Sequence, residues 1–337
     1  MVGIDIGSKS IKIVELEKSA QGFSLLASGI VGYSGTPVDK LVDDKEIAEV
    51  AGIIKKFHKE AGVSSKDVNI SIPESQVFTR TIRFPLLTDA EIASAIKWES
   101  EQYIPIPISE AIIQHTILER NETGTPPGVQ VLLVAAPRVM VEKYTKVIIA
   151  AGLNPIAVET ELIALSRSLA PLGKTVLLLD FGANSTDIAI AKNTLLSFSR
   201  SIPIAGEAFT RAVAQTLGVN QQQAEEYKKT YGLSDKQLEG KVKGALEPIL
   251  RLAVDEIKKA IHYYQTEEKG EAPSAIFVSG GSSGMPDIIT MLTTLLGIEV
   301  QVANPFGKVG IDADIAKKLS PYAPLYSVAV GLAMREE

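Results

Sequence analysis

The chain has 337 residues, enough for two units with cores of their own, and an ordinary globular composition of 45% hydrophobic and 22% charged residues. Its 34 basic and 40 acidic residues leave a net charge of −6, so no nucleic-acid partner is expected. No apolar run reaches the roughly 20 residues that span a bilayer, so no direct membrane insertion is expected either. Cysteine is absent, and the N-terminus passes straight into a strand pattern without a leader; the chain reads as cytoplasmic.

In chain order, residues 2–7, 10–17 and 23–31 read as three strands with glycine-bearing turns. Residues 45–61 have helical spacing, with Ile47, Val50, Ile54 and Phe57 on one face and Gly62 as the stop. A strand over 67–72 follows. Residues 73–152 then read as a separate unit: strand 77–84, helix 89–103, strands 112–119 and 130–135, and helix 138–151. The loop NETGTPPG at 121–128 reads as a mobile hairpin tip. A strand at 155–158 and a helix at 159–169 lead to a second half. It repeats the three-strand plan at 175–180, 186–192 and 195–202, followed by helices between Gly206 and Glu268. A strand at 274–279, Gly280-Gly281, a helix at 285–296 and an apolar helix at 326–335 complete the chain. The expected class is α/β with duplicated halves. The division is 1–72 with 153–173, an insertion at 73–152, 174–205 with 273–325, helices at 206–272, and a closing helix at 326–337.

One pattern recurs. Asp5-Ile6-Gly7-Ser8-Lys9-Ser10 and Asp180-Phe181-Gly182-Ala183-Asn184-Ser185 both read Asp-x-Gly-x-x-Ser, after an apolar run and before a mixed strand. Such a turn offers unblocked backbone N–H groups and hydroxyls, a good cradle for phosphate oxygens. The carboxylates of Asp5 and Asp180 would repel a phosphate, so they are expected to hold Mg²⁺ through its waters. Lys12 could reach the same oxygens. A single Asp-x-Gly is usually only a strand-ending turn; two at matched positions predict phosphate binding. Gly280-Gly281-Ser282 follows another buried strand and could let a flat ring or ribose lie against backbone, with a helix start mildly attractive to anions. Neither G-x-x-x-x-G-K-[ST] nor a strand-linked G-x-G-x-x-G occurs. His58, His115 and His262 are scattered and receive no metal or catalytic role.

This set of elements, in this order, resembles the actin-like ATPase superfamily of actin, MreB, FtsA and the DnaK-type chaperones. The resemblance implies actin-like (ribonuclease H-like) domains flanking an ATP cleft. It assigns Gly7, Ser8, Lys9, Ser10 and Lys12 to one phosphate turn and Gly182, Ala183, Asn184 and Ser185 to the other. Asp5, Asp180 and Asp187 fall on the metal side, and Gly206-Glu207 opens the helix after the second meander. AEEYKKTYG at 224–232 is similar to the run whose Glu and Lys touch adenosine, implicating Glu225 and Lys228 beside Gly280, Gly281 and Ser282. Glu159 sits where relatives place a carboxylate that orients the attacking water, with Glu161 the neighbouring alternative. Read without the resemblance, Glu159 is a carboxylate at a helix N-terminus.

RTIRFPLLTDAEIASAIKWESEQYIPIPISE, with Pro85, Glu91, Trp98-Glu99 and Tyr103-Ile104-Pro105, resembles the PilM branch. The ending MREE, after an apolar helix, lacks the basic amphipathic helix of FtsA. The resemblance implies an ATP-binding cytoplasmic scaffold of a type IV pilus or related secretion machine. It would hold the cytoplasmic tail of a PilN-like inner-membrane protein and hydrolyse ATP slowly or not at all, with a homo-oligomer left open. The alternatives are an FtsA-like filament-forming ATPase and a sugar kinase of the same superfold. The kinase would need polar sugar contacts and a base that no motif supplies.

Overall fold

The computed structural model describes residues 1–123 and 126–336. Gly124 and Thr125, in the loop read as mobile, lie outside the described residues, as does Glu337. An antiparallel meander is formed by β1 (Val2–Ile6) and β2 (Ser10–Ser19), which carry buried apolar side chains, and by the half-buried β3 (Gly22–Gly32). The helix α1 (Asp44–Glu60) opens where the Asp43 carboxylate accepts the Glu46 N–H at 2.8 Å. Its Val50, Ile54 and Phe57 form the buried stripe that holds it on the sheet. A helical crossover returns the chain in the same direction, and β4 (Asp67–Ile72) pairs parallel to β1.

The inserted unit follows: β5 (Phe78–Phe84), α2 (Asp89–Tyr103), β6 (Ala111–Asn121) and β7 (Gly128–Pro137). Its sheet has the order β5-β7-β6, and Ile92 and Ile96 of α2 cover it with Val131 and Leu133. A reciprocal cap between Thr88 and Glu91 starts α2. The next helix, α3 (Arg138–Ala150), belongs to this unit by its sequence pattern but packs elsewhere. Its Met140, Tyr144, Val147 and Ile148 are buried with Val50, Ile54 and Phe57 in the core of the first sheet. The small sheet already has α2 as its cover, so the apolar stripe of α3 is free to pack beside α1. The core that α3 joins is thus that of the first sheet, not that of the small one.

β8 (Asn154–Thr160) pairs parallel to β4 and runs two residues past the expected strand. Only then does α4 (Glu161–Leu169) begin, with Thr160 as its cap. The second meander is β9 (Thr175–Phe181), β10 (Thr186–Lys192) and β11 (Leu195–Ile202), followed by α5 (Gly206–Leu217), α6 (Gln221–Tyr231) and α7 (Lys241–Thr266). β12 (Ile276–Ser279), α8 (Ile288–Leu296) and β13 (Val300–Val302) complete that half. Last come β14 (Val309–Gly310), α9 (Ala313–Leu319) and α10 (Ser327–Ala333). The large sheets run β14-β3-β2-β1-β4-β8 and β11-β10-β9-β12-β13.

α8 begins later than its sequence pattern suggests. Gly281–Gly284 forms one 3₁₀ turn, and Met285, preceding Pro286, is forced into an extended conformation. No α-helix N-terminus therefore adjoins Gly280, which removes the expected helix-end attraction for anions. Between the two large sheets lie α4 and α10. Leu162 and Leu165 pack with Val176, Leu178 and Ala189 of the second sheet. Ala329, Val330 and Ala333 pack with Val14 and Leu16 of the first. The helices meet at Gly331, where a Cβ would stand 1.8 Å from the Ala164 carbonyl oxygen.

Candidate functional site

Both repeated turns close in the same way. The Gly7 N–H donates to the Ser10 carbonyl at 3.1 Å, and the Gly182 N–H donates to the Ser185 carbonyl at 3.0 Å. Each turn joins the first two strands of its meander, so the duplication brings the two turns to opposite walls of one cleft of about 1310 Å³. Asp5, Gly7, Ser8, Lys9, Ser10 and Lys12 line one wall; Asp180, Gly182, Ala183, Asn184, Ser185 and Asp187 line the other. Gly206, Glu207, Glu225, Lys228, Gly280, Gly281 and Ser282 line it as well.

The turns differ in charge. In the first meander Asp5 stands opposite Lys12 across the ladder, and in the second Asp180 stands opposite Asp187. Lys12 Nζ donates to Asp5 Oδ2 at 3.0 Å, and Ser71 Oγ donates to Asp5 Oδ1 at 3.2 Å. Burial would favour the neutral amine of Lys12, yet the Asp5 carboxylate outweighs it and holds the ammonium charged. Asp180 is pushed up to about 7 by burial and by Asp187, against the pull of Lys12. Asp187 is pushed up to about 6, first by burial, although Ser201 and Ser185 hydroxyls oppose the shift. Its Oδ1 is buried without a hydrogen bond.

This donor set fits a cation. Two neighbouring carboxylates hold protons too tightly, and one buried oxygen is unmet. Among the described residues no group of three or more such side chains could ligate a metal directly. A divalent ion therefore fits only with waters filling most of its shell. Because folded Asp180 holds its proton more tightly than the unfolded chain, its contribution to stability is full below about pH 4 and is lost as pH rises through about 7. Asp180→Asn should raise the Tm of the ligand-free protein by a few degrees at pH 8 and hardly at pH 4. A thermal-unfolding series across pH checks this.

At the α5–α6 end of the cleft, Lys228 Nζ donates to the Gly206 carbonyl at 3.1 Å and to Thr210 Oγ1 at 2.9 Å, and pairs with Glu225 at 2.6 Å. Burial pushes the Glu225 carboxyl up, but hydrogen bonds from Lys228 and Thr210 prevail and hold it at about 2. This network locks α6 onto the start of α5. The turn at Gly182 is tied there too, since the Gly206 and Glu207 N–H groups donate to the Gly182 and Ala183 carbonyls. Lys9 and Glu207 pair with each other at 2.6 Å across the mouth, joining the two walls.

Glu159 alone of the expected site residues is not on the cleft. It belongs to β8, not to a helix start, and lies buried where Arg167 donates to it at 2.8 and 2.9 Å and Arg335 adds a second ion pair. The carboxylate on the cleft is Glu161, whose proton affinity is raised well above the usual range by burial and by Asp5, Asp187 and Asp180. The cleft also gains Thr210, Tyr144 and Leu325. Thr210 was legible as the residue one helical turn after Gly206. Nothing local marks Tyr144 or Leu325, which come from α3 and from the segment before α10.

The family model of the type IV pilus assembly protein PilM matches residues 3–337. The chain is 22% identical to cell division protein FtsA of Streptococcus pneumoniae over 348 residues, covering 92% of this chain and 76% of that protein. It is 23% identical to FtsA of Bacillus subtilis over 355 residues, with shares of 90% and 78%. Among solved structures, a chain of a PilM-PilN type IV pilus biogenesis complex superposes with a TM-score of 0.84 at 26% identity, covering 99% of this chain and 97% of that one. MreB 5 of Spiroplasma citri bound to AMPPNP has the same fold at 13% identity, with a TM-score of 0.55 and shares of 98% and 93%. The fold is that of the actin-like ATPases, and the chain belongs to the family of type IV pilus assembly proteins PilM.

Proposed function

We propose that this protein is an ATP-binding scaffold of the type IV pilus inner-membrane assembly, or of a related secretion machine, and holds the cytoplasmic tail of a PilN-like membrane protein. The observation that carries the nucleotide reading is the convergence of two identically closed Asp-x-Gly-x-x-Ser turns on one cleft. In this reading Ser8, Ser10 and Ser185 and the turn N–H groups hold phosphate oxygens, and Lys12 balances their charge. Asp5, Asp180 and Asp187 orient the waters of Mg²⁺, which would supply charge neutralisation at the phosphates. Glu225, Lys228, Gly281 and Ser282 take the adenosine. Glu161, on the cleft, takes the water-orienting role. Its tightly held proton makes it a poor acceptor, so hydrolysis should run well below the usual enzyme range of about 1–10³ per second.

Titration calorimetry tests the site. Wild type should bind ATP more tightly with Mg²⁺ than without, and Asp180→Ala should lose that difference. An unchanged metal dependence would overturn the metal assignment, and a wild type that ignores ATP would overturn the nucleotide reading.

The partner reading rests on the inserted unit and on the similarity to a chain of a PilM-PilN type IV pilus biogenesis complex. None of the described residues of 78–137 lines the cleft, the unit has its own core, and Trp98 on α2 is 76% exposed. Such an appendage can take an extended peptide through pockets and backbone hydrogen bonds. Replacing residues 78–137 by a short linker should abolish capture of a PilN-like tail peptide while leaving ATP affinity nearly intact. Full capture by a folded variant would place the surface elsewhere. The deletion must spare α3, whose Tyr144 lines the cleft. No helix among the described residues is long and apolar enough to cross a membrane. Recruitment to the cytoplasmic face of the inner membrane would come through the partner. The FtsA-like filament-forming ATPase expected from the sequence resemblance is the second reading, and the chain is similar to FtsA over most of its length. Sedimentation with and without ATP separates it.

A further inference from the structure

One buried carboxylate next to the cleft has no part in the readings above. Glu74 lies on the short 3₁₀ turn Glu74–Gln76 between β4 and β5, with 3% of its surface exposed. Its backbone N–H donates to Glu161 Oε2 at 3.4 Å, on the cleft side. Its Oε1 accepts from Thr79 Oγ1 at 3.5 Å, on the inserted sheet. The hydroxyls of Thr160 and Ser199 and the Leu162 N–H favour its charged form, though burial outweighs them and pushes its carboxyl up. Its Oε2 makes no hydrogen bond. Asp187 across the cleft wall feels its charge. One residue thus meets Glu161 through its backbone N–H, and the insertion and the second unit through its side chain.

Beyond Thr79 and Ser199 opens a second cavity of about 270 Å³, between the edge strands β5 and β11. There the insertion is seated on the second unit by Thr81 Oγ1, which donates to the Ser197 carbonyl at 2.6 Å, and by Arg83, which donates to the Glu268 carbonyl. A purely structural buried carboxylate would satisfy both oxygens, because an unmet one costs stability. Glu74 instead leaves Oε2 unmet and takes only a long bond from Thr79 at Oε1, with Thr160, Ser199 and the Leu162 N–H nearby, while its backbone N–H alone reaches toward the cleft. The unmet oxygen leaves the side chain a reason to exchange partners between Thr79 and Ser199.

We propose that Glu74 is a positioning residue that couples occupancy of the nucleotide cleft to the seating of the inserted unit on β11. Movement of Glu161 as phosphate and water enter the cleft changes its bond to the Glu74 N–H. The Glu74 side chain then shifts between Thr79 and Ser199, and β5 moves against β11. The insertion enters through the Glu74 turn, so a change there alters the surface it offers to a partner. This inference rests on the nucleotide reading of the cleft.

Hydrogen exchange at residues 78–84 and 195–202, with and without Mg-ATP, tests it beside calorimetry on the same samples. In wild type Mg-ATP should slow exchange at these strands by about fivefold or more, the lower end of ordinary coupling between sites. Glu74→Ala should bind ATP and lose that response. Thr79→Val, which leaves the cleft untouched, should lose it too and decides the matter if Glu74→Ala does not fold. A wild type that binds ATP without any change at β5 and β11 overturns the coupling, and so does a Thr79→Val protein that responds in full. A wild type that gives no heat with ATP overturns the nucleotide reading, and the coupling falls with it.

Discussion

Gly281→Trp is expected to abolish ATP binding while leaving the protein folded. The reason lies in the contrast between two adjacent glycines. Gly280 has φ +81, and a Cβ there would lie 2.4 Å from Asp180 Oδ1 and 2.5 Å from the Phe181 carbonyl oxygen. Any side chain at 280 therefore distorts the end of β9 itself. Gly281 has ordinary backbone angles, and its Cβ would meet nothing nearer than the Leu325 side chain at 3.9 Å. A side chain at 281 grows into the cleft rather than into the core. An indole there fills the space proposed for adenosine, and the loss should reach about 100-fold or more in affinity, near 2.7 kcal/mol. Calorimetry reads the affinity, and thermal unfolding confirms an unchanged fold. A folded Gly281→Trp protein with normal ATP affinity would move the adenosine site away from the Gly280-Gly281 turn.

Gly331→Val should have the largest effect on stability. The added Cβ would stand 1.8 Å from the Ala164 carbonyl oxygen and 2.4 Å from its carbon, both backbone atoms of a buried helix. No flexible side chain can yield there, so α4 and α10 must separate. These helices carry the apolar faces that cover both large sheets, and separating them opens two cores together. Overpacking costs about 1–3 kcal/mol where neighbours can relax. Here the cost should exceed that range, with a Tm lower by roughly 5–10 °C or no folded protein at all. A melting curve matching wild type would show that the helices cross with more room than this geometry allows.

Much of the site was legible because its chemistry is local. Both turns could be read from Asp-x-Gly-x-x-Ser after an apolar run, and their closure by one hydrogen bond each follows from that short spacing. The caps of α1 and α2, Asp43 and Thr88 with Glu91, are equally local in their chemistry, though they were not among the features read from the sequence. Glu159 and Glu161 show where such reading stops. Two more residues of strand pairing between β4 and β8 carry the strand through Thr160, with Glu159 opposite Ser71. That register turns Glu159 toward Arg167 and Arg335, and Glu161, past the cap, toward the cleft. Arg335 is 176 residues away, so no local signal could have announced the pair.

The sequence by itself determined the two meanders, the matched turns and the helical stripes, because alternation, spacing and capping act over a few residues. It also determined that α3 would be a helix with one apolar face. Only the tertiary structure decided what that face meets, since every apolar surface of suitable shape attracts it equally and the choice depends on which are already covered. The small inserted sheet had α2; the first sheet had room beside α1. The same holds for the charges of the cleft. Asp5, Asp180, Asp187 and Glu161 are ordinary carboxylates in sequence, and they become a site because folding brings them together out of water, with Lys12 as the buried cation among them.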